Sequence, residues 1–220
     1  MESCVANQLV IRNLGVVEYT PTWERMKTFT AERHSGTVDE FWLLQHNPVF
    51  TLGQAGKRDH LLAPGSIDVV QSDRGGQVTY HGPGQLVVYL LIDLKRRRMG
   101  VRPFVTRIET SVTDLLAQFD IAGLTRRDAP GVYVEQEKIA ALGLRIRRGC
   151  SLHGLSLNVD MDLEPFERIN PCGYAGLKVT QLSNLGVREN FNDVATRLCQ
   201  CLIDQFGYTQ ASWQRGPVDE

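Results

Sequence analysis

Apolar residues recur along this chain in three patterns, and each predicts a different kind of element. The run Leu86-Val87-Val88-Tyr89-Leu90-Leu91-Ile92 has no polar interruption. Its length and its β-branched and aromatic content predict a strand over Gln85–Leu91. Phe104, Ile108, Val112, Leu115, Leu116 and Phe119 fall on one face of a 3.6-residue repeat. That spacing predicts an amphipathic helix over Pro103–Phe119, with Pro103 suited to a first turn. The same period predicts a helix over Thr22–Ser35, carried by Trp23, Met26 and Phe29 and ended by Gly36. Val194, Leu198, Leu202 and Phe206 predict a terminal helix over Asn192–Phe206.

Shorter segments read as strands: Gln8–Arg12, Glu40–Gln45 and Phe50–Leu52, while Asp68–Gln71 leads into a glycine-rich loop. Gly131–Glu135, Lys138–Arg145 and Ser151–Val159 follow as an antiparallel meander, and the last dozen residues are expected to fray. Strands paired by hairpins, with helices gathered elsewhere, make an α+β (α/β) layout with a mixed sheet and flanking helices. No G-x-G-x-x-G opens a helix and no Walker loop is present, so nucleotide binding has no direct motif support.

Composition narrows the functional classes. The chain has 220 residues, 42% of them hydrophobic and 22% charged, enough for a sizeable core in one domain. The expected domain is 1–220, with a core of about 8–208. Lys and Arg number 24 against 25 Asp and Glu, a formal charge of -1 that does not suit a general nucleic-acid binder. The basic run Lys95–Arg98 reads as solvated surface. No segment approaches the ~18 apolar residues of a membrane span, and the N-terminus lacks a secretory layout. Five cysteines at irregular spacing argue against a disulfide framework and for a reducing, cytoplasmic setting. Cys199 and Cys201 stand at i and i+2 on a helix, about 200° apart, so they cannot share a metal. No metal site is expected.

Three features carry candidate chemistry. In Arg74–Gln85, Gly75, Gly76, Gly82 and Gly84 surround a short polar and aromatic sequence. Glycine at that density serves either a hairpin turn or a backbone that must approach a ligand. Cys172 lies between Pro171 and Gly173, after a possible helical turn at Glu164–Arg168. That context suits either an accessible nucleophilic thiol or a buried structural cysteine. Lys138 opens a strand and is followed by small residues; it is either surface decoration or a charge partner for such a thiol. His81 and His153 are further acid–base candidates, or packed histidines bonded to their own loops.

Six motifs in order then resemble one family over nearly the whole chain, from about Leu9 to Phe206. They are Gln45–Gly53, Arg74–Gln85, Gly131–Val134, Lys138–Gly143, His153–Val159 and Asn170–Gly173. Together they are similar to the octanoyltransferases of lipoate biosynthesis, the lipoate-protein ligase B family. The resemblance implies a biotin/lipoate protein ligase-like catalytic domain that needs no cofactor. It implies transfer of an octanoyl group from octanoyl-acyl carrier protein to the ε-amine of a lysine on a lipoyl domain. The acceptors would be lipoyl domains of 2-oxo-acid dehydrogenase complexes and the glycine cleavage H protein; a chain of this size is expected to be a monomer.

By the same resemblance Cys172 carries the acyl group and Lys138 is its partner. The substrate site is Arg74, Gly75, Gly76, Gln77, Val78, Thr79, Tyr80 and His81, with Ala141, Leu142, Gly143, Gly154, Leu155 and Ser156. Val78, Tyr80, Leu142 and Leu155 are expected to wall an acyl tunnel. Arg58, Arg145, Arg147 and Arg148 are candidates for a landing surface for acidic carrier domains. The competing readings are an ATP-dependent lipoate or biotin ligase of the same fold, a non-catalytic acyl-carrier-binding module, and an enzyme moving octanoyl between lipoyl domains. Against the ligase, Gly82-Pro83-Gly84-Gln85 stands where lipoate ligases have Asp-x-Gly-Asn.

Overall fold

A computed structural model of the chain describes residues 5, 7–170 and 176–216. Its backbone is an eight-stranded mixed sheet with a three-stranded sheet beside it. The large sheet has the order β11-β1-β2-β6-β10-β9-β8-β7. Its strands are β1 (Gln8–Val17), β2 (Asp39–His46), β6 (Gln85–Leu91), β7 (Gly123–Thr125), β8 (Gly131–Val134), β9 (Glu137–Arg147), β10 (Cys150–Asn158) and β11 (Gln210–Arg215). The small sheet is β4 (Asp68–Gln71), β3 (Val49–Leu52) and β5 (Val78–His81), with β3 in the middle. The helices α1 (Tyr19–Glu32), α2 (Val101–Ala117) and α3 (Phe191–Phe206) complete the fold. No helix among the described residues is long and apolar enough to cross a membrane.

The uninterrupted apolar run behaves as its composition requires. β6 lies between β2 and β10, and all seven of its residues are buried. Because strand side chains alternate, the run feeds two cores at once. Leu86, Val88 and Leu90 join Leu155 and Leu157 of β10 under α2 and α3. Val87, Tyr89 and Leu91 face the other way, onto Met26 of α1 with Trp42 and Leu44. The apolar stripes of α2 and α3 both enter the first core, where Phe104 packs against Phe206 at 5.6 Å between ring centroids. A third cluster, Phe50, Leu52, Val78, Tyr80, Phe166 and Ile169, fills the space under the small sheet.

Several boundaries differ from those the sequence predicts. α1 begins three residues earlier and ends at Glu32, before Gly36. β5 forms inside the glycine-rich run, where a loop is expected, because Val78–His81 pairs antiparallel with β3. Gln210–Arg215 does not fray: it adds to β1 as a parallel strand, Gln8 opposite Gln210. All six β11 residues are exposed, so the strand is held by backbone pairing and leaves no hydrophobic signature.

At the far end of β2, Asp39 is fully buried and gathers four donors. Arg33 Nη2 and Arg96 Nη2 reach Oδ1 at 2.5 and 2.6 Å, the Asp93 N–H reaches it at 2.9 Å, and Tyr208 Oη reaches Oδ2 at 2.9 Å. One carboxylate thus ties together the end of α1, the loop after β6 and the segment leading to β11.

Candidate active site

Strand register puts the small residues of β9 and β10 side by side. Tyr89, Gly154 and Gly143 lie in one row across β6, β10 and β9, and Val87, Ser156 and Ala141 lie in the next-but-one row. Directly opposed residues of antiparallel strands share a face, so Gly143, Gly154, Ala141 and Ser156 make a shallow floor beside Tyr89 and Val87. Arg74, Gly76, Gln77, Val78, Thr79 and His81 cover that floor, and Tyr19 of α1 borders it. The slot between them encloses a cavity of about 60 Å³.

The covering loop is fixed from within. Arg74 is 7% exposed, and its guanidinium serves backbone and hydroxyl acceptors. Nε donates to Thr51 Oγ1 at 2.9 Å, and Nη2 donates to the Thr51 and Gln77 carbonyls at 2.5 and 2.7 Å. Nη1 donates to the Gly75 carbonyl at 2.9 Å, and the Gly75 N–H docks the loop on β9 through Leu144 O at 2.9 Å. The loop passes so close to the β3 end that a Cβ on Gly53 would meet Gly76 O at 2.3 Å. Arg74 therefore builds the wall of the slot.

A bulge aims Lys138 into this slot. The β8–β9 register shifts between Val132, opposite Ala140, and Tyr133, opposite Lys138. Ile139 is the extra residue, and both Ile139 and Ala140 enter the helix-side core. The phase of the strand is reset, and Lys138 emerges on the slot side as a lining residue. Its side chain is buried, 4% exposed, with Nζ 3.2 Å from the Pro130 carbonyl and 5.1 Å from the Tyr133 ring centroid. The surface-decoration alternative does not hold for this lysine. Its backbone also bonds the segment that begins at residue 176: Lys138 N–H donates to Lys178 O and Thr180 N–H to Lys138 O, at 2.9 and 3.0 Å.

In and beside the slot lies a group of buried rings that the sequence did not assemble. His46 Nδ1 is 3.0 Å from the Val17 carbonyl, an acceptor only, so Nδ1 carries the proton and Nε2 accepts from Tyr89 Oη at 2.7 Å. His81 Nδ1 donates to Gln85 Oε1 at 2.6 Å. The Gln85 amide group donates onward to Asn158 Oδ1 at 2.9 Å, and the Asn158 amide to Thr180 O at 2.9 Å, which fixes both amide orientations. Tyr19 stacks on His81 at 6.2 Å and shares a 2.7 Å hydrogen bond with Ser72. His153, in a left-handed conformation at φ 61°, donates from Nε2 to Asp73 at 2.7 Å, beside Trp23 Nε1 at 2.8 Å on the same oxygen.

Burial pushes His46 down to about 4 and His81 down to about 3, with His46 adding to the depression of His81. Asp73 is lowered to about 2, chiefly by its hydrogen bond to His153. His153 is itself lowered by burial, against the pull of Asp73. These histidines are neutral hydrogen-bonding groups at pH 7. As pH falls, the unfolded chain, with histidine near 6.5, takes up their protons first. Their contribution to stability is therefore complete above pH 6.5 and declines from there toward pH 4. Guanidinium midpoints should fall between pH 6.5 and 4.5; equal midpoints would contradict neutral burial of His46 and His81.

The residues expected at the site divide as follows. Arg74, Gly76, Gln77, Val78, Thr79, His81, Lys138, Ala141, Leu142, Gly143, Gly154, Leu155 and Ser156 line one slot. Gly75 is displaced to a neighbouring cavity by its bond to Leu144. Tyr80 turns away, its ring between Phe50 and Phe166 at 5.5 and 5.6 Å, because alternation along β5 sends it into the third core. Tyr80 is not a tunnel wall. Cys172 lies outside the described residues. Arg58, Arg147 and Arg148 are exposed and Arg145 is half-buried, close enough to Asp73 to help lower its carboxyl. Tyr19, Val87 and Tyr89 join the lining without having been expected there. Val87 and Tyr89 were hidden in an apolar run that reads as core, and Tyr19 at the start of a helix.

Residues 18–203 match the family model described as the lipoyl protein ligase A/B catalytic domain. An octanoyltransferase of Pseudomonas paraeruginosa is 57% identical over 212 residues, 96% of this chain and 98% of that one. An octanoyltransferase of Ectopseudomonas mendocina is 60% identical over 202 residues, 91% of this chain and 98% of that one. The crystal structure of lipoate-protein ligase A bound with ATP superposes with a TM-score of 0.72 over 97% of this chain and 90% of its own, at 14% identity. At that identity the superposition speaks for the fold alone.

Proposed function

Because the chain belongs to the lipoyl protein ligase A/B catalytic-domain family, we propose that it is an acyltransferase of protein lipoylation that moves octanoyl from octanoyl-acyl carrier protein to a lipoyl-domain lysine through an acyl-thioester on Cys172. The observation that carries this reading is the buried Lys138, turned by the β9 bulge into a slot floored by Gly143, Gly154, Ala141 and Ser156. A buried amine lining a narrow slot suits proton transfer beside an acyl group. Adenylate chemistry would need a nucleotide-binding apparatus for which the sequence offers no motif. The relatives at 57% and 60% identity are octanoyltransferases, which favours the same activity over ligation.

The steps balance with one thiol and one amine. The Cys172 thiolate attacks the octanoyl carbonyl, forming one C–S bond while the carrier's C–S bond breaks. The departing carrier thiolate takes a proton from the Lys138 ammonium. The acceptor lysine, entering as the neutral amine, then attacks the Cys172 thioester; the C–N bond forms and the Cys172 C–S bond breaks. Lys138, now neutral, receives the proton released by that amine, which restores the thiolate and the ammonium. Exchanging one thioester for another is close to thermoneutral and amide formation is downhill, so no ATP enters. Backbone N–H groups near Gly154 and in the loop after Gly75 are candidates for the oxyanion; the Gly75 N–H is already taken by Leu144.

Each CH₂ of the acyl chain buried in the slot contributes about 0.8 kcal/mol, so slot depth selects chain length. Arg145, Arg147 and Arg148 on and beyond β9 suit an acidic carrier domain as a landing surface. The test is intact-protein mass spectrometry after mixing with octanoyl-acyl carrier protein, beside Cys172→Ser. A gain of one octanoyl group, absent in Cys172→Ser and chased onto an added lipoyl domain, is expected. Transfer that persists in Cys172→Ser would exclude the covalent route, and transfer that requires ATP and free acid would point to a ligase.

A further inference from the structure

Lys138 is also connected to α2, by a route outside the slot. The peptide unit joining Pro130 to Gly131 is hydrogen-bonded at both ends. Its carbonyl accepts from Lys138 Nζ at 3.2 Å, and its N–H donates to Glu109 Oε1 at 2.9 Å. The carboxyl, the peptide and the lysine amine thus form one continuous line of hydrogen bonds. Gly131 makes the close approach feasible. It sits at φ 137°, and a Cβ there would meet Ala140 O at 2.6 Å and Lys138 Cε at 3.1 Å. Glu109 is half-buried on α2, a position where a carboxyl needs a specific partner.

We propose that Glu109 is a positioning residue for Lys138, acting through the Pro130–Gly131 peptide to aim the amine into the slot and to favour its ammonium form. A carboxylate that accepts from a peptide N–H polarises the peptide, and its carbonyl becomes a stronger acceptor for a cation. Glu109 and Lys138 also interact directly as opposite charges: burial raises the Glu109 carboxyl, while the Gly131 N–H and the charge of Lys138 draw it down. Among the described residues, the Tyr133 ring on β8 lies 5.1 Å from the amine; the charged residues next to Lys138 along β9 and across its backbone pairing are Glu137 and Lys178. The proposal rests on the reading of Lys138 as the proton-transfer group, since only then does its aim matter to the reaction.

Lysine side-chain NMR on the full chain tests the link without relying on turnover, with the Lys138 signal assigned by its loss in Lys138→Arg. Glu109→Gln keeps a carbonyl oxygen for the Gly131 N–H and removes the charge. The Lys138 titration midpoint is expected to fall by about 1 pH unit in that variant, the lower end of what a nearby opposite charge produces. The octanoyl-transfer kcat should fall about tenfold with KM unchanged, a loss of 1.4 kcal/mol by the standard conversion. An unchanged Lys138 midpoint in a folded Glu109→Gln chain would overturn the proposal. Reciprocity gives a second measurement should that variant fold poorly: the Glu109 carboxyl must titrate higher in Lys138→Ala than in the parent chain. If both midpoints move but Lys138→Ala transfers octanoyl at the parent rate, the connection stands and the catalytic reading of Lys138 fails.

Discussion

Replacing Lys138 with alanine is expected to slow octanoyl transfer by about 10²–10⁴-fold, the range for losing a positioned acid–base group. The loss should come with little change in melting temperature. The amine's bond to the Pro130 carbonyl, at 3.2 Å, is worth about 1 kcal/mol. Lys138→Arg separates the two half-reactions. A guanidinium stays protonated throughout, so it can steady a thiolate while the departing carrier thiolate takes its proton from solvent instead, but it cannot take the proton released by the acceptor amine. That variant should accumulate octanoyl-enzyme and fail to pass the group on. Single-turnover mixing followed by intact-mass analysis reads both steps. A Lys138→Ala chain that transfers at the parent rate would remove Lys138 from the mechanism.

Asp39→Ala should be the most damaging substitution for the fold away from the slot. The carboxylate is fully buried between Arg33 and Arg96, whose side chains are 4% and 11% exposed. Deleting it leaves two buried cations without their counter-ion and takes the partner from Tyr208. Breaking a buried pair on one side costs about 3–5 kcal/mol. At about 2–4 °C per kcal/mol for a chain of this size, the melting temperature should drop by roughly 6–20 °C. The same variant, below its transition, should keep the slot and its octanoyl transfer. A melting temperature equal to the parent's would show that solvent reaches the arginines and the cluster adds no stability.

How much of this was legible in the sequence depended on what kind of interaction carried it. β6, α2 and α3 were legible because burial drives them and burial leaves a periodic trace. The small-residue floor was partly legible: Ala141, Gly143, Gly154 and Ser156 stand out as residues, but their adjacency depends on the β9–β10 register. The direction of Lys138 was not legible. It follows from one extra residue, Ile139, opposite a four-residue strand, and local propensity does not report a shift in pairing. Tyr80 was misplaced for the related reason that β5 formed inside a glycine-rich run, and strand alternation then governed its side chain. The His46–Tyr89 bond joins residues 43 positions apart, and nothing near either marks a polar partner. β11 was lost because a strand held only by backbone pairing has no required side-chain pattern.

The position of β11 has a consequence for how the chain is made. β1 leaves the ribosome well before the strand that completes its outer edge, β11, 202 residues later. At the usual pace of synthesis, that edge waits about 10–40 s for its partner. Throughout that interval Gln8–Asn13 presents unpaired backbone donors and acceptors on one side, with β2 already able to dock on the other. The nascent sheet is therefore open to pairing with another chain until β11 has emerged. In the finished protein the order reverses: β11 has no buried side chain to hold it, so its amides should be among the first strand amides to exchange with deuterium.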